Sequence, residues 1–398
     1  MNPMSMAERV RQLQPTAVNR ILHEARQLQA EGRTLVSLAR GQPDFATPLP
    51  IVAAAQTALR AGRTGYPDNR GEPELRRAVA DRLAADWGQS YDPDQEILIT
   101  DGATCGIAAA LAVLVQAGDD VLLPDPIYDA YASVISLWGG RPVPIPAVIQ
   151  AGRFTLEPAA LQAACSPRAK VLLLNNPWNP VGTVFRRDEL RAIVDVVLSQ
   201  GLAIISDEIY HAQIHDGQRH VSPVQLSAEA RARTVLVNSL SKTYAMTGWR
   251  VGYCAAPAAV IQAMFLVLQQ FSRGPATFAQ DAAAFALRMD QALVQPMVAE
   301  LQARRDQVVR ALSDLPGIMP LTPEGGLFVM VDIRQLGLSS DAARRWLLRE
   351  AGVVVIHGAA YGPGGEGTLR VSFAAGGSTL AEGMCRLREG LRRLQATS

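Results

Sequence analysis

The chain has 398 residues, 48% of them hydrophobic, which is too long for one small module and apolar enough to build about two lobes around sizeable cores. Its 38 basic and 37 acidic residues nearly cancel to a formal charge of +1, so no global field favours nucleic acid or an anionic membrane, and a small-molecule ligand is the expected partner. The longest apolar stretch, near Ile107 to Val115, is too short for a bilayer, which needs about 20 residues. The N-terminus, MNPMSMAERVRQLQ, is polar and lacks the apolar heart of a signal peptide, so a soluble cytoplasmic protein is expected. Cys105, Cys165, Cys254 and Cys385 are scattered without a CxxC pair, which predicts reduced, isolated thiols acting as small buried hydrophobes.

From about Ile51 to Tyr253, short apolar runs alternate with amphipathic helical patterns. In chain order these are EILIT, a helix over Gly106–Val115, DVLLP, a helix over Tyr128–Leu137, KVLLL, a helix over Leu190–Leu198, LAIIS and TVLVNS. That alternation predicts an α/β fold with a mostly parallel sheet between helices, which binds ligands at the carboxyl ends of its strands. After Pro275 one long helical pattern runs to about Leu312. LFVMVDI, a helix near Asp341–Ala351, VVVI, TLRVSFA and a final amphipathic helix follow, which together read as a smaller α+β lobe. No repeat or flexible linker separates the lobes, so they are expected to pack closely.

Three segments place chemistry beside strand ends. Asp207 follows the apolar run of LAIISDEIY, where a carboxylate reaches the ligand rim or is simply an exposed loop acid. NSLSKTYAMTGWR joins hydroxyls at Ser239 and Ser241 to Lys242 and Arg250, a set that suits a phosphate and includes an amine able to form an imine. In TDGATCGI, Gly102, Ala103 and Thr104 open a helix whose free N–H groups attract an anion, although such residues often serve only as a cap. NNPWNPVGT, with Asn175, Asn176 and Asn179 among prolines, reads as a rigid turn in which an Asn amide either shapes the chain or donates to a ligand oxygen. GPGGEG, with Gly362, Gly364 and Gly367, matches GxGxxG but precedes a strand rather than opening a helix, which argues against a nucleotide. HAQIHDGQRH contains His211, His215 and His220 around an Asp216-Gly217 hairpin turn, and these are expected to be surface histidines rather than metal ligands.

GQPDF, GYPDNRGEPELR, TDGAT, PIYDAY, NPWNPVG, SDEIY, SLSKTYAMTGWRVGY and GTLRVSFA, taken in order, resemble the class I/II pyridoxal-phosphate-dependent aminotransferases of the aspartate aminotransferase fold. The resemblance covers nearly the whole chain. It implies an N-terminal arm and part of the small domain over 1–48, a large cofactor-binding domain over 49–280, and a small C-terminal domain over 281–398. It also implies that Lys242 holds pyridoxal 5'-phosphate as an imine and shuttles the substrate proton. Asp207 would keep the pyridine nitrogen protonated, Tyr210 and Asn179 would bond the phenolic oxygen, and Tyr128 would stack on the ring. Ser239, Ser241, Arg250 and the amides of Gly102, Ala103 and Thr104 would hold the phosphate. Arg370 would grip the substrate α-carboxylate beside Gly41, and Tyr66 would reach across a homodimer interface to the neighbour's phosphate, near Arg273.

The departures from the family pattern are Trp178 in the Asn-Pro turn, His357 before Gly358, and Thr104 where an aspartate-using branch carries lysine. Trp178 and His357 are expected to reshape the pocket without touching the chemistry. Arg40 falls where the resemblance puts the substrate side chain. If desolvated there it would seek acidic or amide side chains, and otherwise it is a surface arginine. The expected reaction is transfer of an amino group from an L-amino acid to a 2-oxo acid. A lyase using the same cofactor is the alternative, and a cofactor-sensing regulator and a NAD-dependent enzyme are weaker rivals.

Overall fold

The computed structural model describes residues 4–11, 13 and 15–397, so residues 1–3, 12 and 14 of the stretch read for a signal peptide lie outside it. Helix α1 (Ala17–Ala30) begins where the Thr16 hydroxyl accepts the Asn19 N–H at 3.3 Å, and it buries Ile21 and Ala25. The large sheet follows, with strands β1 (Ile97–Thr100), β2 (Asp120–Asp125), β3 (Arg141–Pro146), β4 (Ala169–Asn175), β5 (Ala203–Asp207), β6 (Thr234–Ser239) and β7 (Gly252–Ala255). Their spatial order is β1-β7-β6-β5-β4-β2-β3, and only β7 runs antiparallel to its neighbours.

The apolar runs are strands because both faces are covered. Val171 and Leu173 of β4 pack with Ile107 and Leu111 of helix α2 (Ala103–Leu114), while Leu172 and Leu174 pack with Leu190 and Ile193 on the other face. Helix α3 (Ala130–Leu137) adds Tyr131 and Ile135 to the first layer. Strand β3 was not expected, because RPVPIP carries three prolines. It lies at the sheet edge, where a missing N–H is tolerated.

The second sheet contains β8 (Met319–Leu321), β9 (Phe328–Asp332), β10 (Ile356–His357) and β11 (Thr368–Ser372), antiparallel in the order β8-β9-β11-β10. The N-terminal segment joins this lobe. Val36–Ser37 pairs in parallel with Val353–Val354, and Ile21 and Ala25 pack on Leu348, Ile356 and Tyr361. The expected single helix to Leu312 is broken into Thr277–Arg288, a short turn Gln291–Val294, and Gln295–Leu312. Asp290 caps the turn by accepting the Ala292 N–H, and Pro296 cannot donate within a helix interior. Ala282, Ala283 and Ala286 of the Thr277–Arg288 helix pack on Ile51, Leu75 and Val79, so we propose that the large lobe extends past residue 280 to the end of that helix.

Other expectations needed correction. The histidines turn inward: His215 is buried, and the half-buried His220 points its side chain at the fully buried Glu208, which takes its Nε2 at 2.6 Å. Asp216 and Gly217 do adopt left-handed turn angles, but Ile214 bridges Gly325 instead of a strand across the turn, so there is no hairpin. Cys385 is exposed rather than a buried hydrophobe. Trp178 is a core residue, donating to the Pro126 carbonyl at 2.8 Å, and His357 sits against Asp341; neither lines the cavity described below. No helix of the described residues is long and apolar enough to cross a membrane.

Candidate active site

The carboxyl ends of β4, β5 and β6 bring Asn175, Asp207 and Ser239 to one edge, and the chain turns there into the short helix Leu240–Thr243 that carries Lys242. Above that edge lies a cavity of about 560 Å³. The large lobe contributes Ala103, Thr104, Tyr128, Asn179, Asp207, Tyr210, Ser241, Lys242 and Arg250 to its wall. Arg40, Gly41, Phe328 and Arg370 close it from the smaller lobe.

Asp207 is a buried strand-end acid rather than an exposed loop residue. Its Oδ2 accepts the Tyr131 hydroxyl at 2.5 Å and its Oδ1 the Ile209 N–H at 3.1 Å. Burial pushes its carboxyl up to about 6, against the pull of these bonds and of Lys242. The half-buried Lys242 donates from Nζ to the Gly41 carbonyl at 2.5 Å. Burial first, and then the positive charges of Arg370 and Arg250, push its amine down to about 8. Asn179 is anchored by its N–H to Asn175 Oδ1 at 2.7 Å, while its own Oδ1 is buried without a partner. The buried Tyr210 hydroxyl is held well above its ordinary value, chiefly by burial.

One end of the cavity is an anion cradle. Gly102, with φ of +83°, precedes α2, and Arg250 holds a left-handed φ of +58° beneath it. Arg250 donates to the carbonyls of Thr247 and Asp101 at 3.1 Å each, and a Cβ on residue 102 would come within 2.4 Å of its Nη2. No carboxylate pairs with Arg250 among the described residues. Ser241, Ala103 and Thr104 line this end, whereas Ser239 does not: its hydroxyl caps the short helix by accepting the Ser241 N–H at 3.2 Å.

The opposite wall is Arg370. It is 3% exposed, yet it too has no carboxylate partner among the described residues, and its Nε is unsatisfied. It donates to the Ala39 carbonyl at 2.7 Å and lies between the rings of Phe328, at 3.9 Å, and Tyr361, at 4.7 Å. Gly41 is required here, because a Cβ would stand 2.5 Å from Phe328 Cζ. Arg40 lines the cavity but is exposed, so water solvates it and the argument for acidic donors, which needed its desolvation, lapses. Tyr66 is 91% exposed and stands outside the cavity of its own chain.

Sequence reading missed Tyr131, Phe328, Tyr361 and Asp129. Tyr131 had a usable signal, since it follows Tyr128 by one helical turn in PIYDAY. Phe328 and Tyr361 had none, because only the folding of the smaller lobe stacks them on Arg370.

A lysine and an acid at parallel strand ends, faced by cationic groups awaiting anions, define a two-lobed α/β enzyme for a small anionic ligand. The Aminotransferase class I and II family matches residues 33–386, and the chain belongs to it. It is a pyridoxal-phosphate-dependent transaminase. It is similar to the arginine–pyruvate transaminase AruH of Pseudomonas aeruginosa, 39% identical over 90% of each chain. It is also similar to an aspartate aminotransferase of Pyrococcus abyssi, 35% identical over 99% of this chain and 100% of the relative. Among solved structures, the aspartate aminotransferase of Rhizobium meliloti superposes with a TM-score of 0.94 at 30% identity, covering 98% of this chain and 100% of the other. These likenesses do not favour the lyase alternative.

Proposed function

We propose that the chain moves an amino group from an L-amino acid to a 2-oxo acid, with Lys242 carrying pyridoxal phosphate covalently and Arg370 holding the substrate α-carboxylate. The observation that carries this reading is a lysine amine pushed down to about 8 in one cavity with buried Asp207 and a buried arginine that lacks a carboxylate. The residues present suit the cofactor. Arg250, Ser241 and the start of α2 form a cradle for its phosphate, and Gly102 leaves room for Arg250 beneath. The unpartnered Asn179 amide oxygen marks a polar group awaiting a ligand. Tyr128 and Tyr210 offer ring and hydroxyl on the same wall.

Bound pyridoxal phosphate supplies an electron-accepting ring for the pair left when the donor Cα loses its proton. Asp207 holds the proton on the ring nitrogen, which needs a carboxylate that ionises at working pH, and a value of about 6 permits that. Lys242 takes the Cα proton as a neutral amine, a form its lowered value makes available. Arg370 orients the donor through its α-carboxylate.

The sequence contains two lysines, and the other, Lys170, is exposed on β4. Borohydride reduction of the holoenzyme followed by peptide mapping is therefore a two-way test. Label on Lys242 is expected, and label on Lys170 overturns the reading. The relatives' names span arginine, aspartate and aromatic amino acids, so they do not choose the donor.

The protein also fits a cytoplasmic homodimer with shared sites. The exposed Tyr66, and exposed Leu266 and Phe271 close to Arg273, support an interface. Mixing Tyr66→Phe with Lys242→Ala subunits should restore part of the activity, and a monomer at working concentration rejects the shared site.

A further inference from the structure

The cavity wall contains one acid that the reaction does not use. Asp129 follows Tyr128 at the head of α3, and its side chain does not cap that helix, the usual task of aspartate at such a position. It sits instead against the start of α1, where Thr16, Val18 and Asn19 also line the cavity. Burial pushes the Asp129 carboxyl above the usual carboxylate range, against smaller pulls from the Val18 amide, Arg370 and the Thr16 hydroxyl. Its Oδ2 is shut from solvent with no hydrogen-bond partner, and no cation pairs with it among the described residues.

We propose that Asp129 selects a donor amino acid with a cationic side chain, a guanidinium or alkylammonium, whose N–H groups meet the Asp129 carboxylate where it lines the cavity. This rests on the aminotransferase reading, with Arg370 at the α-carboxylate. Asp129 and Arg370 line the same cavity, so one amino acid can address both groups. An apolar side chain would leave the carboxylate on the cavity wall without a counter-charge, and an acidic one would meet a like charge. A cation with N–H donors removes both penalties. Arg40 does not fill this role, since it is exposed at the cavity wall and makes no ion pair with Asp129. Thr16 and Asn19 offer further acceptors for the remaining N–H groups of a guanidinium.

The test compares L-arginine with L-citrulline, its neutral near-isostere, as donors to pyruvate with the native holoenzyme. Arginine is expected to exceed citrulline in kcat/KM by about 10- to 100-fold, the range for a charge-assisted hydrogen bond. A ratio near one overturns the proposal whatever any variant does. In Asp129→Asn the ratio should fall toward one, and an unchanged ratio also overturns it. Argininic acid, with a hydroxyl in place of the α-amine, cannot donate an amino group. Its dissociation constant should weaken by a similar factor in Asp129→Asn, and unaltered binding counts against the proposal. If Arg40→Met alone shifts the arginine to citrulline ratio, the selecting group is Arg40 and the proposal fails. If leucine or glutamate react while arginine gains nothing over citrulline, only the role of Asp129 is lost. If no amino acid yields an oxo acid, the aminotransferase reading fails with it.

Discussion

Asp207 and Glu208 are consecutive acids, both hidden from solvent, with opposite local accounts of their hydrogen bonds. Glu208 Oε1 accepts the hydroxyls of Ser206 at 2.8 Å and Ser222 at 2.6 Å, and its Oε2 meets His220 at 2.6 Å. Asp207 has the Tyr131 hydroxyl and the Ile209 amide, and otherwise faces the cavity. The same contrast separates two buried arginines. Arg304 is paired with Asp44 at 2.7 Å and Glu300 at 2.8 Å, whereas Arg370 has no carboxylate among the described residues. Burial alone therefore does not mark a functional charge. Burial with polar capacity left over does, because an unsatisfied group costs stability unless a ligand completes it.

Asp207→Asn should break the comparison most strongly. Its loss is expected to lower kcat by about 100-fold or more while pyridoxal phosphate stays bound, since an electrostatic group at the reacting centre is removed. Near-normal turnover, with the cofactor spectrum retained after dialysis, would place Asp207 with the structural acids. Arg370→Ala should raise KM by about 10- to 100-fold with a smaller change in kcat, as loss of a charged fork predicts. A kcat effect larger than the KM effect would assign Arg370 to the chemistry instead.

Lys242 sharpens the contrast through pH. Its amine is displaced downward to about 8, so the attacking neutral form grows as pH rises toward 8 and is saturated above it. Attachment of added pyridoxal phosphate to cofactor-free protein should quicken about tenfold per pH unit below 8 and level off above. A rate still climbing beyond pH 10 would mean an ordinary lysine. The smallest effect on turnover belongs to Glu208→Gln. It leaves the cavity untouched, so kcat is expected within about twofold of native, while chemical unfolding reports a loss of about 1–3 kcal/mol from the disturbed buried network. Lost activity in a fully folded Glu208→Gln protein would erase the distinction between the two acids.

Much of the scaffold was readable because its signals are local. Each apolar run followed by an amphipathic pattern needed only its own residues to declare a strand and a helix, and a parallel sheet carries Asp207 and Lys242 to one edge whatever the rest of the chain does. Strand β3 escaped notice because its prolines suit only an edge position, and being at an edge depends on the neighbours. The helix break near Asp290 was hidden because the segments on either side carry similar periodicity.

Solvent access and partnership were not readable, since both are sums over contacts from distant parts of the chain. The three histidines look alike in HAQIHDGQRH, and it is Glu208 and Trp87 that draw His220 inside. Arg40 and Arg370 are equally cationic on paper, but one is exposed and the other is sandwiched between Phe328 and Tyr361. Residue order was enough for the types of chemistry at the strand ends, because covalent neighbours and periodicity place them there. Which charges were left wanting a ligand, Asp129 and Arg370 above all, emerged only when the small lobe and α1 closed over the sheet and removed water from one side of each.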